Sequence, residues 1–207
     1  MKKSKFLLTA ISLLFFISCS NRPHNLVNPE WTTKPESYTV LYTEPFIINQ
    51  IDLEDDLAEY KDNFSTWFEN ELSSNLKNLT GIQPNIKKIT EDSLDIQPLK
   101  YTESFNIPVP FLKSTDNLQG VVFIIHPTQT NREMDKCYRT RCDNLPNNKF
   151  IMGSFFSAHD VSKKELLAYG DISAIQTFHF ALTKSDWENA IAELAKNMLE
   201  STPLINK

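Results

Sequence analysis

The sequence predicts an α/β (α+β) fold in which one mixed sheet carries a long N-terminal helix and a C-terminal helix, together with a β-hairpin. Three observations predict it. Between Leu53 and Leu79 apolar residues recur at spacings of three and four, the period of a helix with one buried face. The run "GVVFIIHP", residues 120–127, is apolar without interruption between Gly120 and Pro127, as in a strand covered on both faces. Finally, "KFIMGSFFSAHDVSKKELLAYGDISA" reads as two strands flanking the polar turn Ser162-Lys163-Lys164, and a second helical stripe follows it.

Taken in order, "SYTVLYTEPF" is the first strand, with Tyr38, Val40 and Tyr42 alternating with Thr39, Leu41 and Thr43 until Pro45 closes it. The helix from Leu53 would run about 40 Å at 1.5 Å per residue, with acids in its first turns, where the helix dipole favours them. Gly81 supplies its stop, and Phe64, Trp67 and Phe68 belong to the core. "QPNIKKIT" is a second strand. Residues 91–119 show no clear period, and spans of that length are often functional or mobile. Within them "FNIPVPFL" places Phe105, Ile107, Val109 and Phe111 on alternate positions, separated by Asn106, Pro108 and Pro110. The two prolines remove ladder donors and limit the segment to an edge strand or a polyproline-like path, covered either by its own domain or by a partner protein. A helix layer on each face of the 120–127 strand is the natural architecture. In "TKSDWENAIAELAKNMLES", Ser185 and Glu188 form a capping box, and Pro203 lies beyond the end of the helix.

The chain opens "MKKSKFLLTAISLLFFISCS". Lys2, Lys3 and Lys5 precede the mostly apolar residues 6–17, and small Ser18-Cys19-Ser20 closes the run, which is the layout of a secretory signal. The run is shorter than the roughly 20 apolar residues a membrane span requires. The expected organisation is therefore a signal over residues 1–18, a tether over 19–36 and one domain over 37–203. Pro23, Pro29 and Pro35 disfavour regular structure in the tether, which could stretch on the order of 55 Å. His24 and Trp31 are read as tether residues, with Trp31 free to pack on the domain or at a membrane interface.

The chain has 21 basic and 26 acidic residues; without residues 1–18 these become 18 and 26, a net charge of −8. That balance argues against a nucleic-acid partner, which requires clustered positive charge. Only four glycines occur, too few to suggest Gly-rich phosphate cradles or dinucleotide loops.

Phe16-Ile17-Ser18-Cys19 resembles the bacterial lipobox, with Phe16 where leucine, valine or isoleucine is usual. The resemblance implies that Cys19 becomes the acylated first residue of the mature chain and holds it on a membrane surface, each buried methylene contributing about 0.8 kcal/mol. Ser20, where aspartate would imply retention at the inner membrane, implies the periplasmic face of the outer membrane. The order of elements over about residues 37–203 is similar to the small envelope domains of the TolB N-terminal, CsgG and LpoB groups. Its most telling part is the hairpin with Asp160, the turn at residues 162–165 and the strand at 166–174. This resemblance implies a protein-binding or assembly role at the envelope and carries no site residues, because fold alone does not define activity.

Cys137 and Cys142 are separated by four residues, and in an exported chain a disulfide between them would contribute about 2 kcal/mol. A zinc site would need a second ligand pair, and a redox pair normally has two intervening residues. Arg132, Lys136, Arg139 and Arg141 mix with Glu133, Asp135 and Asp143 as on a solvated face, although Arg139 and Arg141 could meet an acidic partner. His126, His159 and His179 share no metal-binding spacing, and "GSFFS" lacks the second glycine of a nucleophile elbow. Asp55-Asp56 and Glu91-Asp92 read as a helix start and a loop, not as a glycosidase pair. No catalytic residue, metal ligand or cofactor is therefore predicted.

The resulting expectation is a non-catalytic, lipid-anchored envelope protein. It would meet an envelope protein partner through Phe105, Ile107, Val109 and Phe111 or through Arg139 and Arg141. The alternative is a periplasmic hydrolase or small-ligand-binding protein with a pocket containing His126, His159 or Asp160.

Overall fold

The structure, a computed structural model, describes residues 25–45, 57, 63–133, 148–179 and 181–205. Cys19, Cys137, Cys142, Arg139 and Arg141 lie outside the described residues. The elements are strands β1 (Asn25–Val27) and β2 (Tyr38–Tyr42), helix α1 (Phe64–Thr80), strands β3 (Asn85–Lys88), β4 (Leu94–Thr102), β5 (Phe105–Leu112), β6 (Val121–Glu133), β7 (Asn148–Asp160) and β8 (Glu165–Phe178), and helix α2 (Lys184–Leu199). One mixed six-stranded sheet has the order β1-β8-β7-β6-β2-β3, and β4 and β5 form a separate two-stranded sheet. Among the described residues no helix is long and apolar enough to cross a membrane.

β2 lies parallel to both β3 and β6, while β6, β7, β8 and β1 follow antiparallel. Strand alternation sends Tyr38, Val40, Tyr42, Phe123, Ile125, Phe156 and Ile172 to one face. There they meet the apolar sides of α1 (Trp67, Phe68, Leu72, Leu76) and α2 (Trp187, Ile191, Leu194, Met198) in one buried cluster. Trp187 joins helix to sheet: its ring lies 4.4 Å from Phe150 and 5.8 Å from Phe64, centroid to centroid. On the other face Leu41, Val122 and Ile124 are covered by Leu94 and Leu112 of the β4–β5 pair. β6 is thus buried on both sides as its unbroken apolar run predicts, but the second cover is a hairpin where a helix layer was expected. Residues 91–119, read as aperiodic, contain that hairpin.

Its prolines explain why it could not be read. Pro98 stands directly opposite Pro108, and Ile96 opposite Pro110. Neither member of the Pro98–Pro108 pair has an N–H to give, so these alternate rungs are the non-hydrogen-bonded ones, in which ladder donors are not used. Gln97 opposite Val109 and Leu99 opposite Ile107 supply the bonded rungs.

Three boundaries also move. α1 begins at Phe64 with no acidic residue in its first turn, and of the expected earlier turns only Leu57, a buried non-helical residue, is described. Its end is as predicted: Gly81 has φ 73° and its N–H donates to the Lys77 carbonyl at 2.7 Å. α2 is capped two residues earlier than expected, with Asp186 reaching back to the Thr183 N–H at 2.8 Å and hydroxyl at 2.7 Å. Residues 25–27 of the expected tether belong to the sheet. β1 pairs with β8, and Trp31 packs its ring 6.2 Å from that of Phe123.

Candidate functional site

The cavity under the hairpin gathers the polar residues of the β7–β8 turn. Ser157 and His159 are two apart on β7, so both side chains project from the face that the hairpin covers. Ser157 Oγ donates to the Pro110 carbonyl, and His159 Nε2 lies 2.9 Å from Ser157 Oγ. A hydroxyl has one hydrogen, so Nε2 must be the donor to Oγ and carries the ring proton. Phe111 stands edge-on to the imidazole with centroids 5.0 Å apart. Burial pushes the His159 pKa below its usual value, with the Pro110 carbonyl opposing, and the ring is neutral at pH 7.

Beside His159 opens a cavity of about 350 Å³ whose walls include Phe111, Leu112, Val122, Ile124 and Leu166, with Asp160 and Lys164 at its polar side. Asp160 is held by the turn: its carboxylate accepts the Lys163 N–H at 3.1 Å and pairs with Lys163 Nζ at 3.2 Å. Lys164 sits in the left-handed region at φ 57°. The arrangement can enclose a small, mostly apolar molecule bearing one or two polar groups. It offers no serine nucleophile, because Ser157 is fully buried and its proton is committed to a carbonyl.

The sequence-predicted residues separate. His159 stands opposite Val122 and His126 opposite Phe155, four rungs apart on the ladder and thus about 13 Å from each other. His126 instead has its Nδ1 3.1 Å from Thr43 Oγ1. A joint site of His126, His159 and Asp160 is not formed; only the latter two share the cavity. His179 contributes its carbonyl to Asn148 Nδ2 at 3.1 Å. Of the apolar contact candidates, Ile107 and Val109 are completely buried and Phe111 is half-buried against His159, while Phe105 is half exposed at the hairpin end. Of these four side chains Phe105 is the most exposed.

A polar cluster that no spacing announced lies at the carboxyl ends of β2 and β3, where parallel strands commonly present ligand groups. Ser65 Oγ donates to Glu44 at 2.7 Å, Lys88 pairs with Glu44 at 2.8 Å and reaches Ser65 at 3.2 Å, and Tyr42 donates to Glu69 at 3.1 Å. The bond from Lys88 holds the Glu44 carboxyl below its usual value, and burial raises Tyr42 far above the ordinary phenol range. These groups satisfy one another across 46 residues of sequence, from 42 to 88, and lock the start of α1 to the strand ends.

No known protein family matches the chain, and no curated protein does. Among solved structures, similar ones include a PelC dodecamer from Paraburkholderia phytofirmans, 14% identical over 88% of this chain and 96% of that one, with a TM-score of 0.38. A minor lipoprotein from Acinetobacter baumannii is 14% identical over 77% of this chain and 87% of its own, with a TM-score of 0.34. A protein from Chlamydia trachomatis is 11% identical over 77% and 90%, with a TM-score of 0.36.

Proposed function

We propose that the protein is a lipid-anchored, non-catalytic envelope lipoprotein that binds another envelope protein at the periplasmic face of the outer membrane. The observation that carries the reading is the leader ending in Ser18-Cys19-Ser20, followed after a few residues by the sheet-forming Asn25. Acylation of Cys19 would moor a folded domain within reach of the bilayer, since six residues extend only about 20 Å. The half-exposed Phe105 on the hairpin is the contact residue of choice.

Two measurements test it. Intact-mass analysis of the membrane-extracted protein should show acyl chains on Cys19, and a Cys19→Ala variant should leave the membrane fraction; retention of that variant overturns the anchor. Crosslinking in intact cells should recover the same partner from parent and lose it in Phe105→Asp. Deleting residues 104–112 is a poor substitute, because it removes the buried Ile107 and Val109 and would disturb the fold.

A second reading, binding of a small ligand, is favoured by the cavity beside His159. It predicts that Leu112→Trp, which fills the cavity, abolishes retention of a small molecule co-purifying with the parent. Equal retention by both removes this reading.

A further inference from the structure

The sheet has a second surface that neither its helices nor its hairpin cover. The hairpin's contacts with β7 and β8 include Ser157 to Pro110, His159 to Phe111 and Tyr169 to Lys100, which lie on the half of those strands next to the 161–164 turn. Farther along the same face come Phe155 and Ile151 on β7, with Asp171, opposite Phe155, and Ile175 on β8. Ile151 and Ile175 are direct cross-strand partners. Ile175 is half exposed, one of three large apolar side chains so exposed among the described residues, and Phe155 and Ile151 are half-buried.

The direction of β1 relates this face to the N-terminal end of the described chain. β1 runs antiparallel to β8, with Asn25 opposite Gly170 and Val27 opposite Ala168, so the N-terminal end of β1 points toward the side of residues 171–178. Ile175 is five residues past Gly170, or about 17 Å along the strand. Cys19 is six residues before Asn25, a reach of at most about 20 Å. The N-terminal end of β1, six residues after Cys19, and the exposed Ile175 therefore fall at the same end of the sheet.

We propose that the face formed by Ile151, Phe155 and Ile175 rests on the phospholipid surface into which the Cys19 acyl chains insert. The inference rests on the anchoring proposed above. It gives the domain a fixed pose, with the β8 end against the bilayer and β3, at the opposite edge of the sheet, turned away. The short connection makes the contact effectively intramolecular, so a small apolar patch can hold a pose that it could not establish from free solution.

The test uses the native acylated chain in phosphatidylethanolamine–phosphatidylglycerol vesicles carrying diazirine-labelled acyl chains. After photolysis, lipid adducts should concentrate on Ile151, Phe155 and Ile175, several-fold above those on residues 85–88. Ile175→Asp should lower that labelling several-fold while leaving acylation and co-sedimentation with vesicles unchanged. Acylated, vesicle-bound protein labelled equally at both edges, or only elsewhere, overturns the pose and leaves the anchor standing. A mass without acyl chains, with the protein in the supernatant, overturns the anchor and the pose together.

Discussion

Replacing Asn25 by alanine should unfasten the end of α2 from the edge of the sheet. Asn25 is 3% exposed, and its Nδ2 lies 3.2, 3.1 and 2.6 Å from the carbonyl oxygens of Asn197, Met198 and Glu200. These belong to the helix end, where carbonyls have no partner within the helix. The amide cannot be turned over, because its oxygen would then face three carbonyl oxygens. Two N–H hydrogens are shared among the three acceptors, each full bond contributing about 0.5–1.5 kcal/mol, so alanine should cost about 2 kcal/mol. For a domain of this size that corresponds to a Tm lowered by about 4–8 °C. Asn25→Asp should cost more, since it sets a carboxylate against the negative end of the helix dipole. Urea unfolding of both variants in a Cys19→Ala background, followed by far-UV circular dichroism, should show a lower midpoint at unchanged slope. Both variants lying within about 0.5 kcal/mol of the parent, as substitutions in an exposed tether do, would refute the reasoning.

Four further outcomes are expected. Asp186→Ala removes the acceptor of both Thr183 bonds and should cost about 1 kcal/mol in the same unfolding assay, whereas Glu188→Ala should lie near zero, because Glu188 makes only an exposed pair with Lys184. Leu72→Ala, on the buried side of α1, should cost about 2–5 kcal/mol; a value under about 1 kcal/mol would contradict its packing. Ser157→Ala leaves the Pro110 carbonyl and the His159 Nε2–H without their bond and should cost about 1–3 kcal/mol, with faster amide exchange across the hairpin. The folded state holds the His159 proton more weakly than the unfolded chain, whose histidine titrates near pH 6.5. Its contribution is therefore complete above that pH and is lost as the pH falls toward the lower folded value. Stability measured from pH 7 to 5 should decline less in His159→Gln than in the parent, and identical slopes would contradict the assignment.

The elements that could be read were those whose pattern is local. In β7 and β8 alternation, the polar turn and the register all lie within one contiguous stretch, and in β6 the uninterrupted apolar run reported burial on both faces. Failures came where the deciding partner is remote or where two local signals compete. Thr183–Asp186 and Ser185–Glu188 are overlapping cap patterns, and the helix uses the earlier one. Pro98, Pro108 and Pro110 look like strand breakers until their pairing shows that alternate rungs need no N–H. Asn25 stands among prolines and polar residues, and its carbonyl partners are 172 to 175 positions away. The cavity shares this difficulty: His159 and Asp160 were visible as residues, but the walls contributed by Phe111 and Leu112 required the hairpin's position.

Asn25 also explains how so short a strand persists and what that means for the rest of the β8 edge. Three paired residues do not hold a strand by themselves, so β1 depends on its buried amide and on Val27 and Trp31 packing against the core. Beyond Gly170 side chains of α2 meet β8. Asn197 Nδ2 donates to the Ser173 carbonyl at 2.9 Å, and Gln176 donates to Glu193 at 2.8 Å. At Ser173 an incoming backbone would have to displace a bond already made, which weakens this stretch as a template for a foreign strand. The Ser173 carbonyl on the edge of β8 is therefore occupied while the face, at Ile175, stays half exposed. A surface with those properties accepts a contact that makes no use of backbone hydrogen bonding, and hydrocarbon is a contact of that kind.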